Sequence, residues 1–320
     1  MSTPEQTPSE DFVYNLVLLP FSGNSKKGIL FAARPSGLYR SEDQGQTWNL
    51  ATQSISLDAS FTATSVAVPP GEEDSQVIFA GMAGGILRSN DQGQTWSLAD
   101  LPSPPPVIST ILFSPNYIKD GTILAGTMED GVLRSTDHGF RWVAWNFGLL
   151  DLTIFCMAIS PNFAEDETIF AGAETGIFRS TNGGRAWREI QLPIGFEPVL
   201  CLAISPGYST DGTIIAGTES QGLLISKDWG GKWERIASEV FTGAINSILL
   251  SAQYPTSPEI LVLSEGKLWI SKDSGNSWEP FHEDEIADQE VTTIYAPQGL
   301  GPNNVLWLGL YGGETKTLII

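Results

Sequence analysis

Apolar residues along this chain fall in short runs of β-branched and aromatic character, broken every few positions by Gly, Pro, Asp or Ser. One stretch shows the pattern: "VISTILF" (107–113), "TILAGT" (122–127), "GVLRST" (131–136) and "RWVAW" (141–145). Runs this short, bounded by turn formers, predict β-strands. No stretch carries a helical period of useful length. The same four-run unit then recurs along the chain. Tryptophans at 48, 96, 142, 187, 233 and 278 close successive copies, at spacings of 48, 46, 45, 46 and 45 residues. Upstream of each lies a second motif with the same period, clearest in "SPNYIKDGTILAGT" (114–127), "SPNFAEDETIFAGA" (160–173) and "SPGYSTDGTIIAGT" (205–218). Weaker copies begin at 20, 69, 251 and 296, which makes seven.

Four-stranded units at this period are the pattern of a β-propeller blade, whose sheet buries both faces against its neighbours. The expected fold is therefore all-β. It is a seven-bladed propeller of four-stranded antiparallel blades, forming one domain over 12–320. The blades fall at about 12–50, 60–99, 107–145, 152–190, 197–237, 244–281 and 289–320. The last unit supplies three strands and then stops, so it is either incomplete or closed by the N-terminal segment 1–11. Pro4 and Pro8 make that segment a poor ladder donor, tolerable only at an edge.

Each tryptophan ends an octapeptide: "SEDQGQTW" (41–48), "SNDQGQTW" (89–96), "STDHGFRW" (135–142), "STNGGRAW" (180–187), "SKDWGGKW" (226–233) and "SKDSGNSW" (271–278). The pattern S-x-D-x-G-x-x-W joins the third and fourth strands of a unit. Asp43, Asp91, Asp137, Asp228 and Asp273 are expected to accept backbone N–H groups two or so residues on, forming the turn without a strained residue. The box glycine supplies positive φ. Trp48, Trp96, Trp142, Trp187, Trp233 and Trp278 bury a ring between blades. The fourth box carries Asn182, which makes the same turn bonds without charge. That exchange suits a structural role and not a catalytic one.

These boxes resemble the Asp-box, or BNR, repeat of sialidases, xyloglucan-type glycosidases, sorting-receptor propellers and the photosystem II assembly factor. The resemblance spans nearly the whole chain and implies the propeller, but that fold hosts enzymes and pure binding proteins alike. Sialidase activity implies three converging arginines. Here Arg40, Arg88, Arg134 and Arg179 share one repeat position, one residue before each box serine, and are expected on equivalent third strands around the ring. The assembly-factor family presents an arginine-rich patch, whereas acid stands in its place here.

The net charge of −20 excludes nucleic acid as a partner, which needs concentrated Lys and Arg. It favours a protein or cationic ligand. "MSTPEQTPSED" has no positive region or apolar core of signal-peptide length, and "FVYNLVLLPF" (12–21) is too short to span a bilayer. As written the chain reads as soluble and cytoplasmic, without membrane insertion. No cofactor is indicated. With two histidines (138 and 282) and no cysteine cluster, no metal site has evident ligands, and "HEDEIADQE" (282–290) lacks the spacing of a calcium loop.

The rim opposite the boxes is the expected binding surface. Its turns carry Glu129, Asp130, Glu174, Glu219, Glu265 and Glu314. Its inter-blade links carry Asp58, Asp100, Asp151, Glu197, Glu239 and the run containing Asp284. Phe147, Leu149, Leu150, Ile194, Phe196 and Phe241 are interleaved as apolar studs. The function expected is a non-catalytic binding or assembly module presenting an acidic rim to a basic partner. The alternative is a carbohydrate-active hydrolase or lyase with two rim carboxylates about 5–9.5 Å apart. Cys156 and Cys201 lie five residues before a proline, a position occupied elsewhere by Asn15, Thr64, Thr110, Ser247 and Thr292. They are expected to be free thiols on the innermost strands, too far apart to bridge.

Overall fold

The computed structural model describes residues 11–21, 24–55, 61–71 and 76–320. Seven antiparallel sheets follow one another along it, each a simple meander from a first to an outermost strand. In blade 1 the strands are Asn15–Phe21, Asn24–Arg34, Gly37–Ser41 and Asn49–Leu50. Blade 7 has three among the described residues: Val291–Tyr295, Val305–Leu310 and Thr315–Ile319. First strands pack against one another in sequence and the last returns to the first, so the seven sheets close a ring. The suggested closing strand within 1–10, and Asp58, lie outside the described residues.

Position in the blade dictates composition. The second strands, such as Ile123–Thr127 and Ile214–Thr218, are buried along their whole length. They lie between neighbouring sheets, hence their continuous apolar runs. The glycine in this strand permits close approach of the next blade: a Cβ on Gly172 would meet Val199, and one on Gly217 would meet Ile245, at 2.8 Å or less. Outer strands are two or three residues long and exposed. Where the sequence suggested no helix, single turns form at Tyr117–Asp120, Phe163–Asp166, Tyr208–Asp211 and Glu283–Ile286, too short to register a period.

The boxes stand at equivalent turns around the circumference. In blade 3, Asp137 Oδ1 accepts the Ser135 hydroxyl and the N–H groups of Phe140 and Arg141 at 2.9–3.1 Å. The Ser135 oxygen accepts Gly139 N–H. The bonds therefore reach three and four residues ahead, not two. Nor is the turn free of strain, since the residue before the glycine is left-handed in every box: Gln44, Gln92, His138, Gly183, Trp229 and Ser274 have φ of 59–68°. Asn182 makes the same contacts, accepting Ser180 Oγ and Ala186 N–H at 2.9 Å. Box rings pack on the preceding blade, Trp96 edge-on to Phe31 and Trp142 to Phe79.

A second latch, not recognised in the sequence, holds the turn between first and second strands beside the box in three blades. Asp120, Asp166 and Asp211 each accept a serine hydroxyl (Ser114, Ser160, Ser205) at 2.6 Å and a threonine N–H (Thr122, Thr168, Thr213). The third-strand arginines tie blades together. Arg40, Arg134 and Arg179 donate to the carbonyls of Gln92, Gly183 and Trp229, the left-handed box residue of the next blade. They are spread around the ring and do not converge.

Candidate binding rim

In an antiparallel meander the turns between second and third strands share one end with the links between blades. That end carries the acidic residues singled out above. Glu129, Asp130, Glu174, Glu219, Glu239, Glu265 and Asp284 are all exposed there, spread over blades 3 to 6 and their links. Asp151 has another task. Its carboxylate accepts Thr153 N–H and both the N–H and hydroxyl of Thr175 at 2.8–2.9 Å, binding a link to the turn it crosses. Glu197 does the same for Ser220, and Asp11 for Ser36. These three are struts, with acceptors already committed.

The apolar studs divide similarly. Phe147, Leu150 and Phe196 are 78–80 % exposed, whereas Leu149 and Phe241 are 6 % and 2 % exposed. Gly148 lies against the backbone of Trp187 and Gly222 against that of Phe241. That close approach turns Leu149 and Phe241 into the core, where each joins an apolar cluster. Ile194 is half-buried.

On blade 6 the rim deepens into a cleft of about 630 Å³. The Glu265–Gly266 turn forms one wall, and the link bearing the Glu283–Ile286 helix forms the other. Glu265, Glu283, Asp288 and Glu290 line it with a single cation, Lys267, while Leu268, Trp269, Phe281 and Ile286 supply apolar surface. The link is held in place from blade 7, where Lys316 donates to the Glu285 carbonyl. His282 also contacts the Ile319 carbonyl. Of the acids named singly from sequence only Glu265 enters the cleft, while the acidic run 282–290 contributes Glu283, Asp288 and Glu290 and leaves Asp284 outside it. The others gather because the 280–290 link folds back on a turn some twenty residues earlier.

The perturbed carboxylates belong to the boxes and are displaced downward. The Thr47 hydroxyl and N–H, with Ser41, hold Asp43 at about 2. Hydrogen bonds from Ser277 also shift Asp273 below the usual carboxylate range, and the Lys232 N–H shifts Asp228 in the same direction. At Asp91 and Asp137 desolvation pushes up but is outweighed by hydrogen bonds from Thr95 and from Arg141.

Along the axis Cys156 and Cys201 are free and half-buried. They donate to the Val199 and Ile245 carbonyls of the following blade. Thr64 and Thr292 do likewise to Ile108 and Val13. The residues that face the second-strand glycine as Cys156 faces Gly172 are Ser65 and Thr293, not Thr64 and Thr292, because blades 2 and 7 have one residue fewer between this position and the proline. Burial pushes both thiols up, Cys201 to about 12. Among the described residues no group of three His, Cys, Asp or Glu is placed to hold a metal ion, and no helix is long and apolar enough to cross a membrane.

No protein-family model and no curated protein sequence matches the chain. Solved structures do. The chain is similar to YCF48 bound to a D1 peptide, at 16% identity and TM-score 0.71, over 98% of this chain and 95% of that one. YCF48 from Cyanidioschyzon merolae matches at 12% identity and TM-score 0.67, over 98% and 97%. The GH74 xyloglucanase from Xanthomonas campestris matches at 18% and 0.74, over 98% of this chain and 52% of that one. The chain thus spans about half the length of the xyloglucanase. At these identities the shared property is the seven-bladed fold.

Proposed function

We propose that this protein is a non-catalytic binding module that seats a basic, partly apolar segment of a partner protein on its acidic rim, in the blade-6 cleft. The cleft carries the reading: four carboxylates face one lysine across an aromatic and aliphatic surface. That arrangement fits a lysine or arginine whose stem packs on Trp269 while its head meets the acids. In support, a propeller of the same extent is described as bound to a peptide. A carboxylate-pair hydrolase needs an acid held up by burial, whereas the perturbed carboxylates here are box aspartates shifted down.

The test is fluorescence anisotropy with a labelled peptide carrying two lysines around a leucine, against the same peptide with glutamates. The basic peptide should bind, weaken as salt rises, and lose roughly tenfold or more of its affinity to a Glu265→Lys, Glu290→Lys double variant. Equal affinity for both peptides, or no effect of the double variant, would overturn the reading.

A further inference from the structure

The flank between blades 4 and 5 gathers positive charge in an otherwise acidic chain. The outer strand of blade 4, Arg188–Ile190, and the box of blade 5 enclose a groove of about 610 Å³. Arg179, Arg188 and Lys232 line it against one carboxylate, Glu189. Ile190, Leu192 and Pro193 give it an apolar wall.

Register brings the two arginines together. Arg179 on the third strand stands directly opposite Arg188 on the outer strand, which sets their Cβ atoms about 4.5–5.5 Å apart on one face of the sheet. The five other boxed blades place no cation at that position. Asn49, Ser97 and Val143 oppose Arg40, Arg88 and Arg134, while in blades 5 and 6 Glu234 and Glu279 oppose isoleucines. Like charges directly opposite each other destabilise a sheet. The ion pairs among the described residues involve neither arginine of blade 4.

The blade-5 box leaves that charge open to the groove. Arg179 donates one N–H to the Trp229 carbonyl, a neutral acceptor that cancels no charge. Its stem runs past Gly230, whose Cβ would stand 3.8 Å from Arg179 Cδ. In blade 3 the sixth box residue is Phe140, and its ring covers Arg88 at 4.1 Å. The sixth residue in blade 5 is Gly231, so no ring covers Arg179 from there. Lys232 of the same box is exposed. The neighbouring Asp228 is occupied within the turn by the Ser226 hydroxyl and the Lys232 N–H.

We infer that this groove is an oxyanion site whose ligand is a phosphate monoester. Arg179 and Arg188 donate side by side to its oxygens, and Lys232 meets them from the facing blade. Guanidinium groups present planar forks that match phosphate oxygens. Three cations against one carboxylate suit a group carrying a charge of about −2 better than a lone carboxylate does. The site is independent of the blade-6 cleft, which selects the opposite charge.

The test is fluorescence anisotropy with a labelled peptide carrying phosphoserine between two leucines, its unphosphorylated twin, and inorganic phosphate as competitor. The phosphopeptide should bind roughly tenfold or more tighter than its twin. Arg188→Ser, which installs the pairing of blade 2, should abolish that preference, and Arg188→Lys should recover only part of it because the fork is gone. Arg235→Ser removes the same charge from the outer strand of blade 5, opposite Leu224, and should leave the affinity unchanged. Should Arg188→Ser fail to fold, Lys232→Ser takes its place, with a loss of roughly threefold or more expected. Inorganic phosphate that competes as well as the phosphopeptide makes the free ion the ligand, whereas weaker competition makes it a phosphorylated protein segment. Equal affinity for the phosphopeptide and its twin, or equal losses in the groove variant and Arg235→Ser, overturns the inference.

Discussion

Replacing Asp137 tests whether the box is a latch of hydrogen bonds or a site that needs charge. Its carboxylate takes three bonds, from Ser135 Oγ and from the N–H groups of Phe140 and Arg141. The turn is exposed, so water can replace part of what Asp137→Ala removes. The nearest measured analogue is loss of a helix N-cap, and the net cost should be about 1–2 kcal/mol. Asp137→Asn keeps the same oxygen, as Asn182 does in blade 4, and should cost at most ~0.5 kcal/mol. With an unfolding entropy of roughly 2.1 cal/mol/K per residue, a cost of this size lowers Tm by only about 2 °C in a chain this long. Urea midpoints are accordingly the better assay. Charge enters only through acid lability. The native pKa of Asp137 lies below its ordinary value, so its contribution is complete above about pH 4 and disappears as pH falls through the native value. Asp137→Asn should flatten the acid limb and lower the midpoint at pH 7 only slightly, within the ~0.5 kcal/mol given above. An Asn variant as damaging as Ala at neutral pH would refute the latch, and so would an Ala variant with no effect at all.

Other changes follow from the same contacts. Gly230→Ala should destabilise by about 2–4 kcal/mol in urea, because its Cβ would stand 2.6 Å from Phe170 at a φ of +82° and combines overpacking with a left-handed backbone. Arg134→Ala should cost about 2–3 kcal/mol, removing the tie to Gly183 and the stacking over Trp145 at 4.4 Å; Arg134→Lys should recover only part of it. Cys156 and Cys201 should resist iodoacetamide at pH 8 in the folded protein, since burial keeps both protonated. Rapid alkylation without denaturant would contradict their placement.

The period, the number of blades and the circumferential position of Arg40, Arg88, Arg134 and Arg179 were all legible because the strand motif recurs seven times, the box six times and the arginine four times. What escaped depends on geometry that residue types do not announce. Gln44, His138 and Trp229 adopt positive φ although none is a residue chosen for it, because the serine and aspartate bonds impose the turn. Asp120, Asp166 and Asp211 carry no box pattern in sequence, since their partners Ser114, Ser160 and Ser205 lie six residues back across a turn of helix. The direction of a link side chain is set by the next blade, hence the burial of Leu149 and Phe241. The acidic cleft arises from the fold of one link onto one turn, so an evenly acidic sequence could not single out blade 6.

The arginine ties also shape how the molecule meets its surroundings. Arg34 and Arg134 are buried, and Arg40, Arg88 and Arg179 half-buried, among aromatic rings and backbone carbonyls. Most of the acids stand at the perimeter. Five of the seventeen cations are thus spent inside the wall, and the outer envelope is more anionic than the formal balance of −20 conveys. Two copies approaching in dilute buffer should repel strongly, and that repulsion should relax as added salt shortens the screening length.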